Sequence, residues 1–240
     1  FFLKILYVRA LKFSSAVIFL TNYASRMIQN VTGPLKNSEI IPHGVNNSFR
    51  GIKIQKDWGN HPIDEIKCVY VSSAAPYKHQ WHVVRAIKSL RDQGLPITLT
   101  LVGGGSGYSQ SRLDKEIAFS DPTGIFVTQY SFIHIDNIPT VLSESDLFIF
   151  ASSCENMPVT LIEGMASGLP IACSNRGPMP EVLGEGGVYF DPENPEDIVK
   201  FLIKTFSDRS NLRLEPNKEL IASKSFDVLT GELVTVFNSL

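Results

Sequence analysis

Cysteine is scarce and unpatterned in this chain. Cys68, Cys154 and Cys173 are the only three among 240 residues, with no Cys-x-x-Cys pair and no histidine at metal-ligand spacing. That excludes a disulfide framework, and an odd number of unpaired thiols points to a reducing compartment. Cys68 and Cys173 fall in strand-like apolar runs and are expected as small buried hydrophobes. Cys154 sits beside Glu155 with nothing near it to activate a nucleophile. An excess of one charge is missing too. Lys and Arg number 22 against 24 Asp and Glu, a net charge of −2 with no basic stripe, so nucleic acid is not an expected partner. There is no Asp-x-Asp metal motif, no metal spacing among the five histidines, no Ser-His-Asp or Cys-His arrangement and no repeat. The longest apolar stretch, FFLKILYVRALKFSSAVIFL at the start, is broken by Lys4, Arg9 and Lys12 too often for a membrane span. It also lacks the order of a secretion signal. Phe2, Ile5, Leu6, Ala10 and Phe13 fit one face of an amphipathic helix. That face either packs on a core or meets a membrane or protein outside this sequence, and the initial Phe hints at an absent upstream segment.

What is present is alternation. Apolar runs at Ala16–Leu20, Lys67–Val71, Ile97–Val102, Ile125–Val127, Leu147–Phe150, Pro170–Cys173 and Val188–Phe190 are separated by helical stretches. Trp81, Val84, Ile87 and Leu90 mark one helix that ends before Gly94 and Pro96. Asn194-Pro195-Glu196-Asp197 opens another, with a cap, a first-turn proline and two acids. Continuous apolar strands alternating with helices predict a doubly wound parallel α/β sheet with right-handed crossovers. Pro42-His-Gly-Val-Asn-Asn-Ser48 is turn-rich and reads as a boundary. A final amphipathic helix is expected from Ser225.

The run between Ser152 and Pro180 carries the chemistry. An apolar strand feeds a turn, Pro158 suits a helix start, and the helix is expected from Val159 to Ser167, stopped by Gly168. Strand ends facing a helix N-terminus bind ligands in doubly wound sheets, and the free amides there attract phosphate. Glu155 and Glu163 flank that mouth, eight positions apart. Carboxylates accept hydrogen bonds from sugar hydroxyls, so amides and acids together suit a nucleotide-sugar. The plainer alternative for Glu163 is service to the helix dipole. Gly103-Gly-Gly-Ser-Gly107 matches neither a dinucleotide fingerprint nor a Walker loop, and a tight turn that admits a ligand to the backbone is the better account.

These residues resemble a family. Glu155-x7-Glu163, Gly164-Met-Ala-Ser-Gly-Leu-Pro170 and Arg176-Gly-Pro-Met-Pro-Glu-Val182 are similar to the C-terminal domain of retaining GT-B glycosyltransferases of group 1. The usual pattern there is E-G-F-G-x-x-x-x-E-A-M-A-x-G-x-P followed by G-G-x-P-E-V. Ile41-Pro-His-Gly-Val45, Val71–Lys78 and Leu101–Gly105 extend the likeness, which runs from about Phe13 to Leu202 in consistent order. The resemblance implies a Rossmann-like C-terminal lobe with a remnant of the N-terminal lobe. Residues 1–42 would end the first lobe, 43–224 would bind the nucleotide-sugar, and 225–240 would return toward the first lobe, which holds the acceptor site.

The same resemblance implies that a hexose-type sugar passes from a UDP- or GDP-sugar to a glycan or lipid-linked acceptor, with configuration retained and no metal or other cofactor. Lys78 would contact the diphosphate and Glu155 the donor sugar, these two being the catalytic candidates. Glu163 would hold both ribose hydroxyls. Asn156, Met157, Val159, Thr160, Gly44 and Tyr130 complete the candidate binding residues, with Tyr130 or Phe132 near the base. Two departures stand out: Ser73 replaces a family arginine, and Asn156-Met157-Pro158 replaces Gly-Phe-Gly. Arg176 or Arg85 is a conceivable substitute for the missing cation. A cytoplasmic enzyme, in possible peripheral contact with the inner membrane face, is the expectation. The other readings are a non-catalytic nucleotide-sugar-binding subunit or sensor, and a GT-B-like epimerase or phosphorylase.

Overall fold

The computed structural model describes residues 2–50, 65–207 and 226–238. It opens with α1 (Phe2–Phe13), β1 (Val17–Phe19), α2 (Asn22–Thr32) and β2 (Ser38–Ile40). Strands β1 and β2 pair in parallel as a two-stranded sheet, over a small cluster of Val17, Phe19 and Leu35. After Pro42–Ser48 come β3 (Ile66–Val71), α3 (Gln80–Asp92), β4 (Ile97–Val102), α4 (Gly107–Ser120), β5 (Val127–Tyr130) and α5 (Ile138–Ser143). The series continues with β6 (Leu147–Phe150), α6 (Val159–Ser167), β7 (Ile171–Ser174), α7 (Met179–Leu183), β8 (Val188–Phe190), α8 (Pro195–Ser207) and α9 (Phe226–Asn238).

Strands β3 to β8 form one six-stranded parallel sheet in the order β5-β4-β3-β6-β7-β8. Helices α3, α4 and α8 pack together on one face, and α5, α6 and α7 on the other. Strands covered on both sides read as near-continuous apolar runs, and every residue of β6 and β7 is buried. Tyr70, Phe148, Phe150 and Phe190 are fully buried between the layers. Each such aromatic stabilises the fold by about 2–3 kcal/mol through area removed from water. The order reverses direction between β3 and β6, which leaves a crevice above their C-terminal ends.

Several local expectations hold. Helix α6 spans Val159–Ser167 and ends at Gly168 in the left-handed region. Pro158, as expected, stands directly before the helix, at the cap position with φ −80° and ψ 88°. Helix α8 starts at Pro195, where Asn194 Oδ1 accepts from the N–H groups of Glu196 and Asp197. Cys68 and Cys173 are buried.

Three points differ. The fifth strand begins at Val127 rather than Ile125. The Asp121 carboxylate accepts from the N–H groups of Ile125, Phe126 and Val127 at 2.7–2.9 Å, and these bonds hold its pKa below the ordinary value despite the opposing effect of burial. They turn the chain before the ladder starts. Ser38–Ile40 adds a strand that short polar-flanked residues did not announce. On α1, Ile5, Leu6, Ala10 and Phe13 are exposed, while Leu11 packs on the small cluster. The side chain of Phe2 and residue Ser225 lie outside the described residues.

The glycine run after β4 serves backbone packing. Gly103 has φ +117°, and a Cβ there would stand 2.3 Å from the Ser72 carbonyl oxygen. Substitution combines a left-handed strain with a collision against main chain. Gly103→Ala is therefore expected to lower stability by about 2 kcal/mol in denaturant unfolding. A change under about 0.5 kcal/mol would show that the two loops can part freely.

Candidate donor site

The crevice between β3 and β6 is stitched by its two loops. Beyond β3, residues 72–79 fold into a tight turn in which Lys78 N–H bonds the Ala75 carbonyl. The buried Tyr70 hydroxyl donates to the Lys78 carbonyl at 2.8 Å. Beyond β6, Ser153 N–H donates to the Tyr77 carbonyl at 2.8 Å. His79 adopts φ 48° and ψ 30°, an uncommon backbone for a residue with a Cβ. Its Nε2 lies 2.7 Å from Ser153 Oγ. Burial, and then the neighbouring His82, push its pKa down, which favours the neutral ring. Since the Ser153 hydroxyl also faces the Tyr77 carbonyl at 3.4 Å, we assign the donating N–H to Nε2.

This bracing brings Lys78 to Glu155. Lys78 Nζ and Glu155 Oε1 are 2.5 Å apart, with side chains 12% and 14% exposed. The ammonium also lies 5.4 Å from the ring centres of Tyr77 and Phe150. Asn156 is exposed, whereas Met157 is buried in the core, which leaves the latter only its main chain to offer a ligand. The first intrahelical bonds of α6 come from Leu161 and Ile162, both to the Pro158 carbonyl. The N–H groups of Val159 and Thr160 precede them and point out of the helix mouth. No side chain caps this end.

A cleft of about 500 Å³ opens beside it, lined by Ser73, Gly103, Phe132, His134, Thr160 and Glu163 among others. Thr160 and Glu163 stand three residues apart on one face of α6. Burial raises the Glu163 pKa from 4.5 to about 7. The two glutamates therefore part company: Glu163 faces the cleft, while Glu155 is held by Lys78 and is not in the cleft lining. Phe132 lines the cleft, but Tyr130 lines a separate cavity against β4 and α5. Gly44 is buried in the link after β2. Ser73 is exposed in the cleft, and both arginines named as substitutes for the cation it lacks are engaged in ion pairs. Arg176 is paired with Asp191 at 2.8 Å and Arg85 with Glu116. Among the described residues no cluster of three His, Cys, Asp or Glu is arranged to hold a metal ion.

Sequence reasoning missed the His79–Ser153 brace, since a histidine after a lysine carries no sign of a left-handed backbone. It also missed two contacts that join α2 to the site. Thr21 Oγ1 donates to the Asn156 carbonyl, and Glu181 accepts from the first N–H groups of α2. The Thr21 contact joins residues 135 positions apart, which no local pattern could show.

Comparison with known proteins places this geometry. Residues 52–221 match the family model described as glycosyl transferases group 1. The chain is 22% identical over 214 residues to O-antigen chain mannosyltransferase B of Escherichia coli, covering 88% of this chain and 54% of that protein. It thus spans about half the length of such curated relatives. Sucrose-phosphate synthase from Thermosynechococcus elongatus superposes with a TM-score of 0.85 at 18% identity, over 98% of this chain and 61% of that one. The Anabaena protein Alr3699/HepE, in complex with UDP and glucose, gives a TM-score of 0.80 at 17% identity, over 96% and 65%. At such identities the structures share the fold, a GT-B lobe with a parallel α/β sheet. The family match covers well over half of the sequence, and the chain belongs to the group 1 glycosyl transferases.

Proposed function

We propose that this chain is the donor-binding part of a retaining, metal-independent glycosyltransferase, moving a hexose-type sugar from a UDP- or GDP-sugar to a glycan or lipid-linked acceptor. One observation carries the reading: an uncapped helix mouth, a half-buried carboxylate and a desolvated Lys–Glu pair meet at one switch point of the sheet. The Val159 and Thr160 amides hold the pyrophosphate, and Glu163 accepts from both ribose hydroxyls. Phe132 offers its face to the base. Lys78 leaves Glu155 for the diphosphate and stabilises the charge that grows there as the glycosidic bond breaks. Glu155, so released, takes the donor-sugar hydroxyls. The acceptor binds on the other lobe, and the exposed apolar side chains of α1 suit contact with the rest of that lobe or with the inner membrane face in the cytoplasm. Among the described residues no helix is long and apolar enough to cross a membrane.

A second reading is a nucleotide-sugar sensor without turnover. Ser73 in place of an arginine, with Arg85 and Arg176 each paired to an acid, favours it. Either reading requires nucleotide binding. Calorimetry on this chain is expected to give a dissociation constant below about 1 mM for a UDP or GDP ligand. Silence for UDP, GDP and ADP ligands at that concentration would remove both.

A further inference from the structure

We infer that Thr21 and Glu181 form a clasp between α2 and the donor turn, acting as positioning residues for the main chain that follows Glu155. The inference rests on the nucleotide-sugar reading above. Thr21 is buried at the junction of β1 and α2. Its hydroxyl oxygen accepts from Ala24 N–H at 3.0 Å, and its hydrogen goes to the Asn156 carbonyl at 3.2 Å. Glu181, on α7, lays one carboxylate oxygen 2.6 Å from Asn22 N and the other 2.7 Å from Tyr23 N. The Asn22 side-chain amide adds a third bond at 3.2 Å, and Arg26 stands 3.9 Å away. An α-helix leaves its first amides without internal partners, and here two side chains take those of Asn22, Tyr23 and Ala24. One of these side chains belongs to α7, 159 positions away in sequence. A carboxylate accepting at a helix N-terminus gains from both charge and dipole, so the attachment is directional and firm.

The consequence falls on one peptide group. Peptides are planar, and there are no cis bonds among the described residues. A carbonyl of Asn156 held toward α2 therefore turns the Met157 N–H the opposite way, away from α2. Met157 cannot swing round to compensate, because its side chain is locked in the core. Asn156 and Met157 directly follow Glu155, where an amide would meet the donor sugar. Displacement of α2 would free the Asn156 carbonyl and let that peptide rotate. The clasp thus makes sugar recognition depend on where α2 sits, while the phosphate and ribose contacts of α6 do not.

That asymmetry is testable on the 240-residue chain by calorimetry, comparing UDP with UDP-glucose and GDP with GDP-mannose. Thr21→Val keeps the shape and removes the hydroxyl. It is expected to weaken the nucleotide-sugar at least fivefold more than the matching nucleotide. Thr21→Ser should restore the wild-type ratio to within twofold, and Glu181→Gln, which loses one acceptor and the charge, should move it in the same direction as Thr21→Val. Should Thr21→Val fail to fold, Glu181→Gln carries the comparison alone. Equal losses on both ligands, or an unchanged ratio in a folded variant, overturn the clasp and leave the donor site standing. A wild-type chain that binds neither pair overturns the nucleotide-sugar reading, and the clasp falls with it.

Discussion

Lys78→Ala is expected to lower kcat of the two-lobed transferase by two to three orders of magnitude, about 3–4 kcal/mol of transition-state stabilisation. That is the usual loss when one preorganised donor to a developing anion is removed. The same substitution is expected to destabilise the fold by about 3 kcal/mol, because Glu155 is left 14% exposed without its cation. Glu155→Ala should do comparable damage from the other side. The informative variant is the double one. If the pair exists mainly to be opened by substrate, removing both charges costs the fold less than the two single losses added together. A coupling of about 2 kcal/mol is expected from a denaturant-unfolding cycle, while turnover stays near that of the worse single variant. Additive stability losses, each under about 0.5 kcal/mol, would show the pair to be idle, and unimpaired transfer by Lys78→Ala would end its catalytic assignment.

Glu163→Ala should weaken a nucleotide ligand about 100-fold or more. Two hydrogen bonds to a charged acceptor, at roughly 1.5 kcal/mol each, vanish together. The pH dependence adds a sharper signature. With a pKa of about 7, the carboxyl is largely protonated at pH 6 and ionised at pH 8. A ligand that needs the carboxylate should bind about tenfold more weakly at pH 6 than at pH 8. UDP-glucose suits the measurement because its diphosphate does not titrate in that range. The sign for stability is opposite. Burial raises this acid above its ordinary 4.5, so between 4.5 and about 7 the folded chain holds more proton than the unfolded one. Stability is fully present below that window, falls as pH climbs through it, and stays lower above it. Solvent in the cleft screens part of the effect, which leaves about 2 kcal/mol. Glu163→Gln should flatten this slope while failing to restore nucleotide affinity. Affinity independent of pH in the wild type would remove Glu163 from the ligand.

Much of this fold was legible because its signals are local. Predominantly apolar runs announced β3, β4 and β6 as strands, and Gly168 and Asn194 marked a helix end and a helix start through their own backbone or side chain. Proximity across long sequence separations was not legible. Nothing near Asp121 says that its carboxylate will consume three amides and delay β5. Nothing near Glu155 says that Lys78, in another loop, will claim it. Gly164 shows the same limit. The family pattern has alanine there, but a Cβ would meet the Phe148 ring at 2.8 Å, and only the packed structure displays that ring. The spacing of two glutamates led to one crevice, yet it carried no information on which wall each side chain would face.

On the proposed reading, the closed Lys78–Glu155 contact also bears on how a donor arrives. An anionic ligand approaching a bare ammonium is drawn in by a long-range field, and its capture rate drops as salt is added. Here that field is cancelled at its source by a partner 2.5 Å away. Encounter is then left to diffusion and shape, and the attraction switches on only after contact, once the two side chains separate. Such a gate favours molecules able to engage both halves at once, and inorganic phosphate or a simple diphosphate, abundant in any cell, gains little hold on it.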